Sequence, residues 1–119
     1  MWVVKQKTVP IYKSVLGLIF YDDPQKLIDK FNHIEFTHDP HGFQGGSFYL
    51  DGIVYIALWC DKKLSVGHVV HECKHAVNHI FKEIGQELDL NNDESECYLL
   101  QWVFEQTNRE LKNSGIQLQ

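Results

Sequence analysis

Between Ser65 and Gly85 the sequence carries two helix faces at once, and that double pattern constrains the fold more than any other stretch. Val66, Val69, Val70, Cys73, Val77, Ile80 and Ile84 recur at helical spacing and form one apolar stripe, which needs a sheet or a helix to cover it. His68, His71, His75 and His79 fall on the other face. Ser65 is placed to cap the start of this helix and Gly85 to stop it. A helix of this kind has one side in a core and lines something polar with the other.

The polar side contains His71-Glu72-Cys73-Lys74-His75, a His-Glu-x-x-His motif. Residues four apart stack on one helix face, so His71 and His75 can grip one metal ion from the same side. Glu72 lies about 100° round from His71, near enough to hold a water at the open metal position without being a ligand. Two imidazoles, a third ligand and a carboxylate base are the parts of a zinc hydrolase centre.

The third ligand must come from elsewhere. His79 is eight residues beyond His71, about 12 Å along the axis, too far to share one ion. The metzincin pattern places a third His where Phe81 stands and a Gly where Asn78 stands, so that pattern fails. Glu94, nineteen residues after His75, opens the next helical segment. Asn91-Asn92-Asp93-Glu94-Ser95-Glu96-Cys97-Tyr98 resembles the second motif of the gluzincins, the thermolysin-like metallopeptidases, where an acidic ligand opens a helix and a small residue follows three positions later. The resemblance covers about Gly67 to Gln101, and it extends to the compact single-domain minigluzincins. A weaker likeness leads to small zinc-peptidase-like proteins of phage and prophage origin.

The resemblance implies Glu94 as third zinc ligand, with Asp93 and Glu96 as the competing acids of the same turn. The same acids also have a structural use, because Asn91-x-x-Glu94 or Asp93-x-x-Glu96 can serve as a capping box. In one respect the chain departs from the thermolysin-like pattern: Tyr98 stands where that family has an aspartate orienting a ligand histidine. A phenol there is a candidate catalytic group that accepts a hydrogen bond from a histidine or donates one to an oxyanion. His33, His38 and His41, in or near a central loop, are further candidates for reaching the site, and His68 lies one turn before His71.

The rest of the chain reads as strands first, then two long helices. Thr8 to Tyr21 is rich in Val, Ile, Tyr and Phe and reads as one or two strands. Asp23-Pro24 opens a short helix with Leu27, Ile28 and Phe31 on one face, and His33 to Phe36 reads as a brief strand. Ser47 to Leu50, Asp51-Gly52 and Ile53 to Trp59 form a hairpin with a type I′ turn. A last helix from about Asn92 to Asn113, capped by Asn91 or Asn92, is apolar through Leu99, Leu100, Trp102, Val103 and Phe104. The expectation is one α+β domain over 1–119, a small twisted antiparallel or mixed sheet packed on two long helices. On the family's pattern, an extended substrate would pair with the edge of the Ile53 to Trp59 strand.

Composition trims the functions available. A net charge of −5, with six acids and no Lys or Arg from Glu83 to Glu96, excludes the basic face of a nucleic-acid binder. Three cysteines without paired spacing form neither a zinc ribbon nor a disulfide framework and favour a reducing compartment, hence the cytoplasm. The apolar run Val15 to Phe20 is too short for a membrane span. The expected function is therefore a Zn²⁺-dependent metallopeptidase acting on a peptide or protein substrate, with no nucleic-acid or membrane partner and no indication of oligomeric state. The alternatives are a zinc-stabilised interaction or inhibitor protein with a structural or relict site, and a metal-free helical domain carrying the motif by accident.

Overall fold

The computed structural model describes residues 1–32, 40–42, 44–60 and 63–119. The brief strand expected at His33 to Phe36 lies outside the described residues, as do His33 and His38. Four strands, β1 (Trp2–Thr8), β2 (Val15–Tyr21), β3 (Gly45–Leu50) and β4 (Ile53–Trp59), form one sheet in the order β1-β2-β4-β3. Three α-helices accompany it: α1 (Pro24–Lys30), α2 (Val66–Ile84) and α3 (Glu94–Asn113). The sheet is mixed, with β2 parallel to β4 and the two outer pairs antiparallel. This is the α+β architecture expected from the order of apolar patterns.

The hairpin forms where Asp51-Gly52 places it. Both turn residues take positive φ, 50° and 84°, and Leu50 pairs with Ile53. The apolar segment before it divides at a turn in which Val9 N–H donates to the Ser14 carbonyl at 2.7 Å. β1 therefore begins at Trp2, earlier than the sequence reading put it, and its Lys5 and Lys7 are suited to an edge.

One expectation is corrected by the strand order. The Ile53 to Trp59 strand is interior, bonded to β2 on one side and β3 on the other, so it offers no free edge. The free edge on the hairpin side belongs to β3. The physical reason is burial: Val54, Ile56, Ala57 and Leu58 fill both faces of β4, whereas β3 starts with Gly45, Gly46 and Ser47 and has little apolar surface to hide.

One face of the sheet, through Leu16, Leu18, Phe20, Val54, Ile56 and Leu58, packs on Val69, Cys73, Val77 and Ile80 of α2 and on Leu99, Val103 and Leu111 of α3. The opposite face carries Ile19, Tyr21 and Ala57 against Leu27 of α1, with Phe31, Phe48 and Tyr55 in mutual ring contact. The stripe of α2 is narrower than its sequence pattern: Val66, Val70 and Ile84 stay exposed, and Ala76 and Phe81 take buried places. Val66 and Ile84 belong to the terminal turns, and Val70 to the stripe's margin.

Ser65 caps α2, its Oγ accepting from His68 N–H at 3.0 Å, and Gly85 ends it at φ 74°. α3 starts differently from expectation. Its N-cap residue is Asp93 without a side-chain cap bond, and neither capping box forms. Asn91 is occupied in the preceding turn, its N–H donating to Asp89 Oδ1 at 2.9 Å. Beyond α3 the chain returns to the start of α2: Gln119 N–H donates to the Leu64 carbonyl and Val66 N–H to the Gln119 carbonyl, both at 3.0 Å. No helix among the described residues is long and apolar enough to cross a membrane.

Candidate metal centre

His71 and His75 sit one helical turn apart on α2, with ring centroids 4.8 Å apart and planes at 76°. Their Nε2 atoms converge to 3.2 Å, close to the separation of about 3.3–3.4 Å that two Zn–N bonds impose at a tetrahedral angle. Glu72 offers a carboxylate oxygen to the same point, and the three ligand atoms lie within 4.8 Å of one another. Among the described residues no other group of His, Cys, Asp or Glu gathers three such atoms. Donor chemistry and spacing both fit a zinc ion.

Glu72 differs from the imidazoles in its surroundings. They are exposed, whereas it is buried at the margin of the α2 core face. Burial pushes its carboxyl pKa up, opposed by the charges of His75, His71 and His68. A carboxylate shifted upward is a better proton acceptor near neutral pH, which suits a general base more than a resting ligand.

Two further histidines flank the pair. His68 Nδ1 bonds Gln44 Oε1 at 2.7 Å. Gln44 is itself fixed, its Nε2 donating to the Lys63 carbonyl at 2.8 Å and its own carbonyl accepting from Trp59 N–H at 2.8 Å. His79, on the other side, is half-buried; burial and then the His75 charge lower its pKa, against the effect of the Ser47 backbone. Gln44 and Ser47 both belong to the β3 arm, so the histidine face of α2 runs beside the free-edge strand. Nothing in the sequence singled out Gln44, which sits in a stretch that reads as loop by composition.

His41 is held elsewhere, its Nε2 within 3.2 Å of Gln25 Oε1 on α1, the helix of the opposite sheet face. Glu94 and Tyr98 stand exposed in the first turns of α3, Tyr98 at 67%, and neither enters the His71-Glu72-His75 group. The acid of that turn which touches α2 is Glu96, ion-paired with Lys74. Lys74 Nζ also donates to Asn78 Oδ1 at 2.7 Å. The first turn of α3 therefore meets α2 at the residue directly before His75.

No family model, curated protein or solved structure matches the chain.

Proposed function

We propose that the chain is a zinc-dependent metallopeptidase in which His71, His75 and Glu94 hold the metal and Glu72 is the general base. The observation that carries the reading is the 3.2 Å convergence of two imidazole nitrogens with a buried carboxylate beside them. Glu94 is preferred over Glu96 as third ligand because the Glu96 carboxylate is already neutralised by Lys74, whereas Glu94 has no ion-pair partner among the described residues. When bound, zinc supplies Lewis acidity that brings a water's pKa down to about 7. Glu72 would accept a proton from the attacking water at a carboxylate oxygen as the water oxygen bonds the peptide carbonyl carbon, and would deliver it to the amine nitrogen as the C–N bond breaks. Tyr98, one turn after Glu94, is the proposed hydrogen-bond donor to charge developing on the substrate carbonyl.

The substrate we propose is an extended peptide lying along the free edge of β3. Gln44 turns its carbonyl to Trp59, so by antiparallel alternation Gly45, Ser47 and Tyr49 direct their backbone groups outward; the Ser47 carbonyl is already met by His79, which leaves those of Gly45 and Tyr49. Those groups are what a strand-forming peptide pairs with. Cys73 and Cys97 are free thiols, which supports a cytoplasmic setting.

The test is zinc analysis with a peptide-cleavage assay on wild type and Glu72→Gln. The reading expects about one zinc per chain in both and cleavage in the wild type alone, since an amide keeps the shape but cannot take the proton. Loss of zinc from Glu72→Gln would make Glu72 a ligand and overturn its role as base. Zinc in the wild type with no cleavage of any peptide would make the centre structural.

A further inference from the structure

We infer that His68 is a substrate-binding residue, which Gln44 prepares by holding the imidazole hydrogen on Nδ1 and leaving the Nε2 lone pair to accept a backbone N–H of the peptide. The inference rests on the peptidase reading above and adds a contact to it.

It begins with the orientation of one amide. Gln44 Nε2 donates to the Lys63 carbonyl at 2.8 Å. Turning the amide over would set two carbonyl oxygens against each other, so the oxygen is the end that meets His68. Gln44 Oε1 lies 2.7 Å from His68 Nδ1. An amide oxygen can only accept, so Nδ1 carries the hydrogen and the neutral ring keeps its lone pair on Nε2. The Gln44 backbone is fixed as well, its carbonyl taking the Trp59 N–H at 2.8 Å. Gln44 is thus tied to β4, to the approach to α2 and to the ring at once.

Location gives this tautomer its use. His68 is exposed and lies about 60° and 20° round α2 from His71 and His75, so the three share one face. It is about 10.5 Å along the axis from His75, too far to join that pair on one ion, and it stands outside the His71-Glu72-His75 group. Gln44 immediately precedes Gly45, the first residue of β3 to turn its backbone groups outward. A peptide that pairs with Gly45 therefore passes the His68 ring. Such a peptide brings backbone N–H and C=O groups to that point. An Nε2 without hydrogen accepts from the first and repels the second, so the lock on Nδ1 also selects which peptide group lies there.

Two measurements on the full-length protein test the two halves. Imidazole nitrogen NMR of the metal-free protein at alkaline pH, with the signal assigned through His68→Phe, should show the His68 hydrogen on Nδ1. Gln44→Met should move it toward Nε2. For the contact, the probes are a peptide that the wild type cleaves and analogues in which single N–H groups outside the scissile bond become ester oxygens. One analogue should lose about tenfold in kcat/KM with the wild type, the scale of one hydrogen bond, and nothing further with His68→Phe. His68→Phe should cleave the parent peptide about tenfold less well while keeping its zinc, its circular dichroism and its melting temperature. A wild-type His68 with its hydrogen on Nε2 overturns the lock. Analogues penalised equally by wild type and His68→Phe overturn the contact and leave the peptidase standing. Loss of zinc from a folded His68→Phe would make His68 a ligand and overturns the assignment. A wild type that cleaves no peptide removes the peptidase reading and this contact together.

Discussion

Glu72 is shaped by two demands that pull against each other. Its backbone belongs to a helix that needs apolar residues near this angle, and its carboxyl lies in one group with the imidazoles. The structure satisfies both by burying Glu72 at the edge of the core face, and the raised pKa follows from that position. The acids of α3 are not equivalent in the same way. On the proposed ligand set, Glu94→Ala should weaken zinc binding far more than Glu96→Ala or Asp93→Ala. Zinc titration of the three variants decides this, and equal affinity in all three would reduce Glu94 to a residue of the helix start. At this scale the grouping of His71, Glu72 and His75 was legible because their spacing is local to one helix. Gln44 and Lys74 were not, because their partners His68 and Glu96 come from elements far away in sequence and are chosen by packing.

At the scale of the element, α2 and the hairpin were the most legible parts, and each carries its own punctuation. Ser65, Gly85 and the Asp51-Gly52 turn fix their backbone angles with little help from the rest of the fold. Ser65→Ala should therefore cost about 1 kcal/mol, read as a shift of the urea midpoint, by leaving the His68 N–H without its acceptor. Strand order was not legible. Whether β3 or β4 sits at the edge depends on the parallel pairing of β2 with β4, a contact between segments separated by α1 and the residues after it. The alternation along β3 gives a direct test of the proposed substrate edge. Tyr49→Pro removes an outward N–H and should raise KM for an extended peptide with little change in kcat. Phe48→Pro removes an N–H that faces β4 and should instead destabilise the fold. If Tyr49→Pro cleaved peptides with an unaltered KM, the substrate would not lie on this edge.

The molecule as a whole is closed by contacts between its ends, and one of these governs its response to acid. Lys7 of the edge strand β1 meets Glu110 of α3, Nζ to Oε2 at 2.7 Å, and Asn113 Nδ2 donates to the other oxygen at 3.1 Å. Glu110 is buried on the same side of α3 as Val103 and Leu111, so a carboxylate is held inside the packed face because a cation from the first strand meets it there. The hydrogen bond from Lys7, then that from Asn113, lowers its pKa against the opposing effect of burial. A carboxyl with a depressed folded-state pKa favours the native state once pH is above its unfolded value, about 4.3, and this contribution disappears as pH falls through the folded value. Stability should therefore fall on acidification below about pH 4.3, and Lys7→Met should change that profile in a defined way. At pH 7 the variant leaves a buried carboxylate without its cation and should be less stable by about 1–2 kcal/mol, discounted from the fully buried case because Lys7 is partly exposed. Near pH 3 the carboxyl is protonated in the variant's folded state, so the gap to wild type should narrow. Urea unfolding of the metal-free proteins at pH 7, 5 and 3 measures the gap directly, and a difference of the same size at all three would mean that packing of the Lys7 stem, and not its charge, joins the first strand to the last helix.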